Sequence, residues 1–355
     1  MKNGLISFHC LTAYPPSNPN RDELGQPKTA VVAGVTRQRI SSQSIKRAWR
    51  LSTPMQEIDA QNAVRTRTLC PELKSALIAL GRGEEEAQTW AEEIAGAFGK
   101  IKKGKHAEMV VYDRAEWDAS FKYAEQCHEN GTPPTKEGAE DLRRQTVSID
   151  CALFGRMRAN APDLNRDAAV AVSHPLSVNK ALIEADFWTS VDDLSREGDS
   201  ADSGSGGMGD VEFGSALYYT FAQLSFDSLV GNLTLAGLRE EAQAKALAPA
   251  VVDALVAAIA TATPSGHRTT FGNVVRASYL RVEFGESSGN LFCQAYEKPI
   301  NGTQAAIDAL RVAADQQARA YGLEQKVLEL AVPEGAGSLQ KIREGIKTVL
   351  AAYNG

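Results

Sequence analysis

The 355-residue chain has little with which to do covalent chemistry. Its five cysteines, Cys10, Cys70, Cys127, Cys151 and Cys293, are odd in number and scattered, and no two have metal-ligand spacing. A disulfide framework and a cysteine zinc site are therefore not expected, and a reduced, cytoplasmic protein is. The five histidines, His9, His106, His128, His174 and His267, are equally dispersed, without an H-E-x-x-H pair. No G-x-S-x-G elbow occurs, and the acidic pairs Asp22–Glu23 and Asp192–Asp193 are of a kind common on loops. The chain thus gives no catalytic residue, metal or cofactor to expect. No apolar run approaches the ~20 residues that span a bilayer, so no membrane partner is expected either. The opening MKNGLISFHCLTAYPPS reads as a strand, not a signal peptide. Aromatics are only 7% of the residues, which argues against a platform stacking successive bases.

The remaining composition is that of an ordinary globular protein, 43% hydrophobic and 23% charged, long enough for one large domain with insertions or for two. One further absence is local. Between Leu24 and Gln56 there is no acidic residue, against six basic ones: Lys28, Arg37, Arg39, Lys46, Arg47 and Arg50. Elsewhere 32 basic residues face 44 acidic ones, and the whole chain carries −6. A confined positive patch on an acidic protein points to one face aimed at a polyanion.

The core of the patch is TRQRISSQSIKRAWR, Thr36–Arg50. Ser41 or Ser42 is a natural N-cap. Ile45, Ala48 and Trp49 fall at i, i+3 and i+4 and form a buried stripe, leaving Gln43, Lys46, Arg47 and Arg50 toward solvent. Lys46 and Arg50 project together, Ser42 and Gln43 offer neutral donors, and the N-terminal amides attract anions. Pro54 should stop the helix.

Around this helix, residues 5–12 alternate as a half-buried strand, with Ile6, Phe8 and Cys10 on one face and Ser7 and His9 on the other. The prolines of Tyr14–Pro27 predict an irregular loop. Residues 57–145 read as a charged helical insertion, with helices at Pro71–Leu80, Glu84–Phe98 and Arg114–His128, and with a loop holding Lys100, Lys102, Lys103 and Lys105. Strand patterns return at Thr146–Leu153, Val211–Asp227 and Val275–Phe284, and helices at Leu235–Ala262 and in two C-terminal segments. Gly198–Asp210, GDSADSGSGGMGD, reads as a mobile loop or hairpin tip whose only large apolar side chain is Met208. It lacks the spacing of a phosphate-binding loop, and its aspartates would repel phosphate. Without the insertions the order is compatible with an α+β, ferredoxin-like βαββαβ core.

The string RISSQSIKRAWR, Arg39–Arg50, resembles the hallmark of the backbone subunit of type I-E CRISPR Cascade complexes, the CasC family. LISFHCLTAYPPSNPNRD is similar to that family's first strand and Asn-Arg-Asp loop, here Asn20, Arg21 and Asp22. ALFGRM (Ala152–Met157), SHPLSVNKALIEADFWTSVDDL (Ser173–Leu194) and PSGHRTTFG (Pro264–Gly272) extend the likeness. It implies a modified RNA-recognition-motif palm over 1–56 and 146–355, helical fingers at 57–145 and a flexible thumb hairpin at about 195–215.

The resemblance also implies a function without catalysis. About six copies would line a CRISPR guide RNA beside other Cascade subunits, presenting the guide's bases for pairing with target DNA. Lys28, Ser41, Gln43, Lys46 and Arg50 would hold the guide backbone, with Asn20, Arg21, Arg39, Ser42, Arg156, His267 and Arg268 among the expected RNA contacts. Met157 would pack against a displaced base, Met208 would give an apolar thumb contact, and Lys100, Lys102, Lys103 and Lys105 would face the duplex. Two alternatives stay open. One is a guide-processing endoribonuclease using His9 or His267. The other is an enzyme binding a phosphorylated small molecule at the basic helix.

Overall fold

The structure, a computed structural model, describes residues 4–58, 63–144, 148–158, 162–190, 207–234 and 240–354. It is an α+β chain that divides into two compact units. The first comprises Met1–Ser52, Val172–Gln223 and Leu255–Val349, and the second comprises Thr53–Ala171, Leu224–Ala254 and Leu350–Gly355. The second unit starts at Thr53, where the helical insertion was expected from residue 57. The unit continues past 145, because the segment after Ser148 is tied to the helical core by side-chain bonds such as that from the Ala63 amide to Asp150.

The first unit is built on an antiparallel sheet. Strand β1 (Leu5–Ser17) lies between Gly207–Ser225 and Tyr279–Gly285, and Gln325–Ala331 adds to the far side of the latter. The register pairs Ile6 with Phe284, Leu11 with Tyr279, and Tyr279 in turn with Ala331. Helix Thr303–Tyr321 lays Ile307, Leu310 and Ala314 against Leu11, Tyr219 and Tyr279.

Two expectations fail along β1. The strand is buried on both faces, not one: Ser7 and His9 are 1% and 0% exposed. A central strand must satisfy its polar side chains internally. Ser7 Oγ pairs with Ser287 Oγ at 2.7 Å, and His9 Nδ1 pairs with Tyr219 OH at 2.9 Å. The strand also runs through Pro15 and Pro16 to Ser17. Its ladder with Tyr279–Gly285 ends at Leu11, so the prolines sit where that side needs no ladder N–H.

The polar side of this sheet holds a charge chain. Glu283 faces His9 at 3.5 Å and Arg281 at 2.8 Å, and Arg281 reaches Glu329, which Arg311 also binds. Burial alone would raise the Glu283 carboxyl, but the His9 ring and the Arg281 guanidinium outweigh it and hold it at about 2, against an ordinary 4.5. A carboxylate depressed in the folded state stabilises above its unfolded pKa and loses that contribution as pH falls through the folded value. Acid unfolding of the first unit should therefore set in between about pH 4.5 and 2, and E283Q should flatten it by up to about 3 kcal/mol in an acid titration followed by circular dichroism.

Strands β2 (Thr29–Val32) and β3 (Val35–Gln38) form a hairpin in place of the expected broken apolar stretch. Its two turn residues, Ala33 and Gly34, both have positive φ, the tight turn that matches strand twist. Helix α1 (Ser42–Arg50) follows as expected, capped by Ser41, whose Oγ accepts from the Ser44 amide. Pro54 does not simply end it. After a turn at Leu51–Ser52, a second short helix opens, Thr53–Ile58, with Pro54 in its first turn, where a missing N–H costs nothing.

In the second unit, helices Leu69–Ala79, Glu84–Gly96 and Arg114–Asn130 pack Leu73, Trp90, Ile94, Tyr112 and Ala124 into a common core. Of the expected strand at Thr146–Leu153, residues 146 and 147 lie outside the described residues, and the rest leads into the helix Ile149–Phe154, whose residues are buried from Ile149 to Leu153 whatever their parity, so alternation was not the signal to read. Of the glycine-rich loop, 198–206 lies outside the described residues. Gly207–Asp210 belongs to a strand paired with Phe187–Ser190.

Candidate nucleic-acid interface

The basic string is organised by residues on either side of it. Asn20 Oδ1 accepts from the Ser41 amide at 2.8 Å, and the Lys28 amide donates to the Asn20 carbonyl at 3.0 Å. The Arg39 amide donates to the Lys28 carbonyl at 2.7 Å. Asp22 Oδ1 accepts from the amides of Leu24 and Gln26 and shapes the loop between. One continuous surface of the first unit therefore carries Asn20, Lys28, Arg39, Ser41, Ser42 and the start of α1.

Along α1, Ile45 and Trp49 are buried, Gln43 and Arg47 are exposed, and Lys46, Ala48 and Arg50 are half-buried. Burial lowers the Lys46 ammonium below the usual lysine value, which favours an anion beside it. Among the described residues, no carboxylate forms an ion pair with Arg21, Lys28, Arg39, Lys46 or Arg47. Cations with no carboxylate to neutralise them keep their charge available to phosphate.

The turn at Gly266–Arg268 joins this surface. A Cβ on Gly266 would lie 2.5 Å from the Pro19 carbonyl, so only glycine permits the approach. His267 has φ +46°, and burial, helped by the neighbouring Arg21, lowers its pKa. Arg268 turns back instead, donating to the Thr263 carbonyl at 2.6 Å. That bond braces the turn on which Arg268, half-buried, is carried.

Three other charges also have different positions from those expected. Arg37 is buried, and its guanidinium donates to four carbonyls, those of Ser177, Val178, Tyr296 and Glu297. It is a structural residue, although it lies inside the acid-free stretch. Arg156, expected at the RNA, is 4% exposed in the second unit and pairs with Glu116 at 3.4 Å. His9, the candidate base of the nuclease alternative, is fully buried and engaged with Tyr219 and Glu283.

Sequence reasoning missed His174. Its Nδ1 accepts from the Ser42 amide at 2.9 Å and lies 3.5 Å from Arg39 Nη1. The first free amide of α1 is thus already occupied, and His174 orients Arg39. The paired strands Glu184–Ser190 and Gly207–Ser225 expose Phe187, Trp188 and Met208 at 61%, 46% and 65%. The Trp188 indole lies over Gly209, where any Cβ would come within 3.0 Å of it. Adjacent aromatics in an otherwise polar stretch were the available signal, since neighbours in a strand take opposite faces.

In the second unit Met157 is 81% exposed. The lysine loop is a tight hairpin, Ile101–Lys102 against Lys105–His106, turned by Lys103 and Gly104 at positive φ, with all four lysines exposed. Its root is His106, buried and hydrogen-bonded to Tyr112 OH. Burial pushes His106 down to about 4, so the anchor is neutral while the tip is positive.

Comparison with known proteins places this architecture. No curated protein matches the sequence. A chain of a solved "CRISPR RNA-guided surveillance complex, pre-nicking" is similar at TM-score 0.78 and 25% identity, over 98% of this chain and 99% of that one. A chain of a second "CRISPR RNA-guided surveillance complex" has the same fold at TM-score 0.69 and 22% identity, over the same shares. The CT1975-like protein model matches residues 6–350, nearly the whole length, and the chain belongs to that family.

Proposed function

We propose that the chain is a non-catalytic guide-RNA-binding backbone subunit of a Cascade-type CRISPR surveillance complex, acting in the cytoplasm in antiviral defence. The observation that carries this reading is the surface holding Asn20, Lys28, Arg39, Ser42, Gln43 and Lys46, whose cations have no carboxylate partner among the described residues. Such a surface grips phosphates and sugars and leaves base edges for pairing, as a protein must that holds guides of any sequence. The full-length likeness to surveillance-complex chains supports the same assignment.

In this reading the first unit supplies the RNA-recognition-motif palm and, through the hairpin bearing Phe187, Trp188 and Met208, the thumb. Apolar side chains on such a hairpin suit wedging between bases better than stacking them in series. Met157 meets the displaced base, and Lys100, Lys102, Lys103 and Lys105 face the target duplex. About six copies follow one another along the spacer, flanked by other subunits. The nuclease alternative loses His9 to burial.

Co-expression with the remaining subunits and a guide locus, followed by purification and RNA extraction, tests the proposal. The expected result is one guide RNA of defined length with several copies of this chain. A monomer free of RNA under those conditions would refute it.

A further inference from the structure

Met157 sits between two arginines that both turn inward. Arg156 and Arg158 have side chains 1% and 2% exposed, and they meet on one buried carboxylate, Glu116, itself 0% exposed. Arg156 Nη1 lies 3.4 Å from Glu116 Oε2, and Arg158 Nη2 donates to the same oxygen. Each arginine has a second hold: Arg156 on the Leu164 carbonyl at 3.1 Å, and Arg158 on the Val111 carbonyl at 3.0 Å. The backbone is fixed as well. Arg156 and Arg166 exchange amide–carbonyl bonds at 3.0 and 2.8 Å, and the Arg158 amide donates to Asn165 Oδ1.

In an extended segment, alternate side chains take opposite sides. Two anchored neighbours at i−1 and i+1 therefore force residue i outward, which accounts for an 81% exposed methionine beside arginines buried almost completely. Glu116 is placed to do this by its own helix. It is the third residue of Arg114–Asn130, and its carboxylate also accepts from the Asp113 amide at 2.9 Å in a capping box. The carboxylate is thus held rigidly at a helix start, and two guanidiniums are hung from it.

We infer that Glu116 is a positioning residue for base contact: through Arg156 and Arg158 it sets the direction in which Met157 meets the displaced nucleobase of a bound guide. The inference rests on the guide-RNA reading above. Glu116 touches no RNA itself. Its removal would leave two buried guanidiniums uncompensated, and they would swing toward water and carry Met157 with them.

The test uses the assembled complex, loaded with guides that carry 2-aminopurine at one spacer position at a time. The wild type should show a recurring set of positions with distinct fluorescence, and M157A should alter the signal at those positions. E116Q, with folding verified by a thermal melt, should reproduce the M157A change while altering guide affinity less than about 3-fold, because phosphate contacts carry most of the affinity. Asn165 is exposed, so N165A should fold normally and give a weaker change of the same kind. Added to M157A, E116Q should change nothing more. If E116Q and N165A keep the wild-type pattern, or if E116Q acts equally with and without Met157, the inference fails while the guide-RNA reading stands. If no recurring positions exist and M157A is silent, both the Met157 reading and the inference fall.

Discussion

Reversing Lys46 and Arg50 together (K46E/R50E) should weaken guide-RNA binding at physiological salt by at least about 100-fold, since each charge-assisted bond is worth about 1.5–3 kcal/mol. The two residues lie one turn apart on α1, on the same side of the helix, so both charges act at one stretch of backbone. The salt dependence should change as well. With about 0.7 counterion released per neutralised phosphate of a single strand, the slope of log affinity against log salt should become shallower by about 1.4. The loss should be equal for guides of unrelated sequence, and filter binding across a salt series with two such guides measures both quantities. A loss confined to one guide would show that the helix reads bases. The fold should survive, because Ile45 and Trp49 remain buried and only Arg50 of the two lies in the last helical turn, where an acidic residue typically costs about 1 kcal/mol.

Arg37 should behave in the opposite way. R37A should destabilise the first unit by about 3 kcal/mol, because leaving a buried acceptor without its donor costs about 1–3 kcal/mol and two of its four bonds are short. The guanidinium donates at 2.6 Å to Val178 and at 2.7 Å to Tyr296, with longer bonds to Ser177 and Glu297. Removing it strands these carbonyls away from water. Urea denaturation gives the stability change. In the fraction that remains folded, the salt slope for guide RNA should match the wild type. If R37A shifted the slope while leaving the urea midpoint in place, Arg37 would be an RNA contact after all. The two substitutions therefore separate charges that the sequence presents as one cluster.

The helix itself was legible because its signals are local. Ser41 as cap and Ile45 and Trp49 as the buried stripe all lie within ten residues of one another, and the structure reproduces them. Three helices of the second unit, Leu69–Ala79, Glu84–Gly96 and Arg114–Asn130, were legible for the same reason, to within a few residues at their ends. The strands were harder to read. Gln325–Ala331 and Glu184–Ser190 went unread, because neither shows a clean apolar alternation, and a strand is fixed by its partners. The helix Ile149–Phe154 passed for a strand because every residue from Ile149 to Leu153 is buried, and burial on all sides removes the contrast that periodicity needs.

The sequence by itself determined that one short, acid-free segment would form a capped amphipathic helix with a cationic side, and its motifs identified the kind of polyanion to expect. Those properties follow from residue order over one or two helical turns. Only the tertiary structure decided which cations face outward. Arg37 is drawn inside by carbonyls about 140 and 260 positions away, and Arg156 by a carboxylate 40 positions away. His174, 132 positions from Ser42, closes the helix start and orients Arg39. A charge enters the interior only where distant groups gather to bind it, because the cost of desolvation is met by specific partners and not by neighbours in sequence.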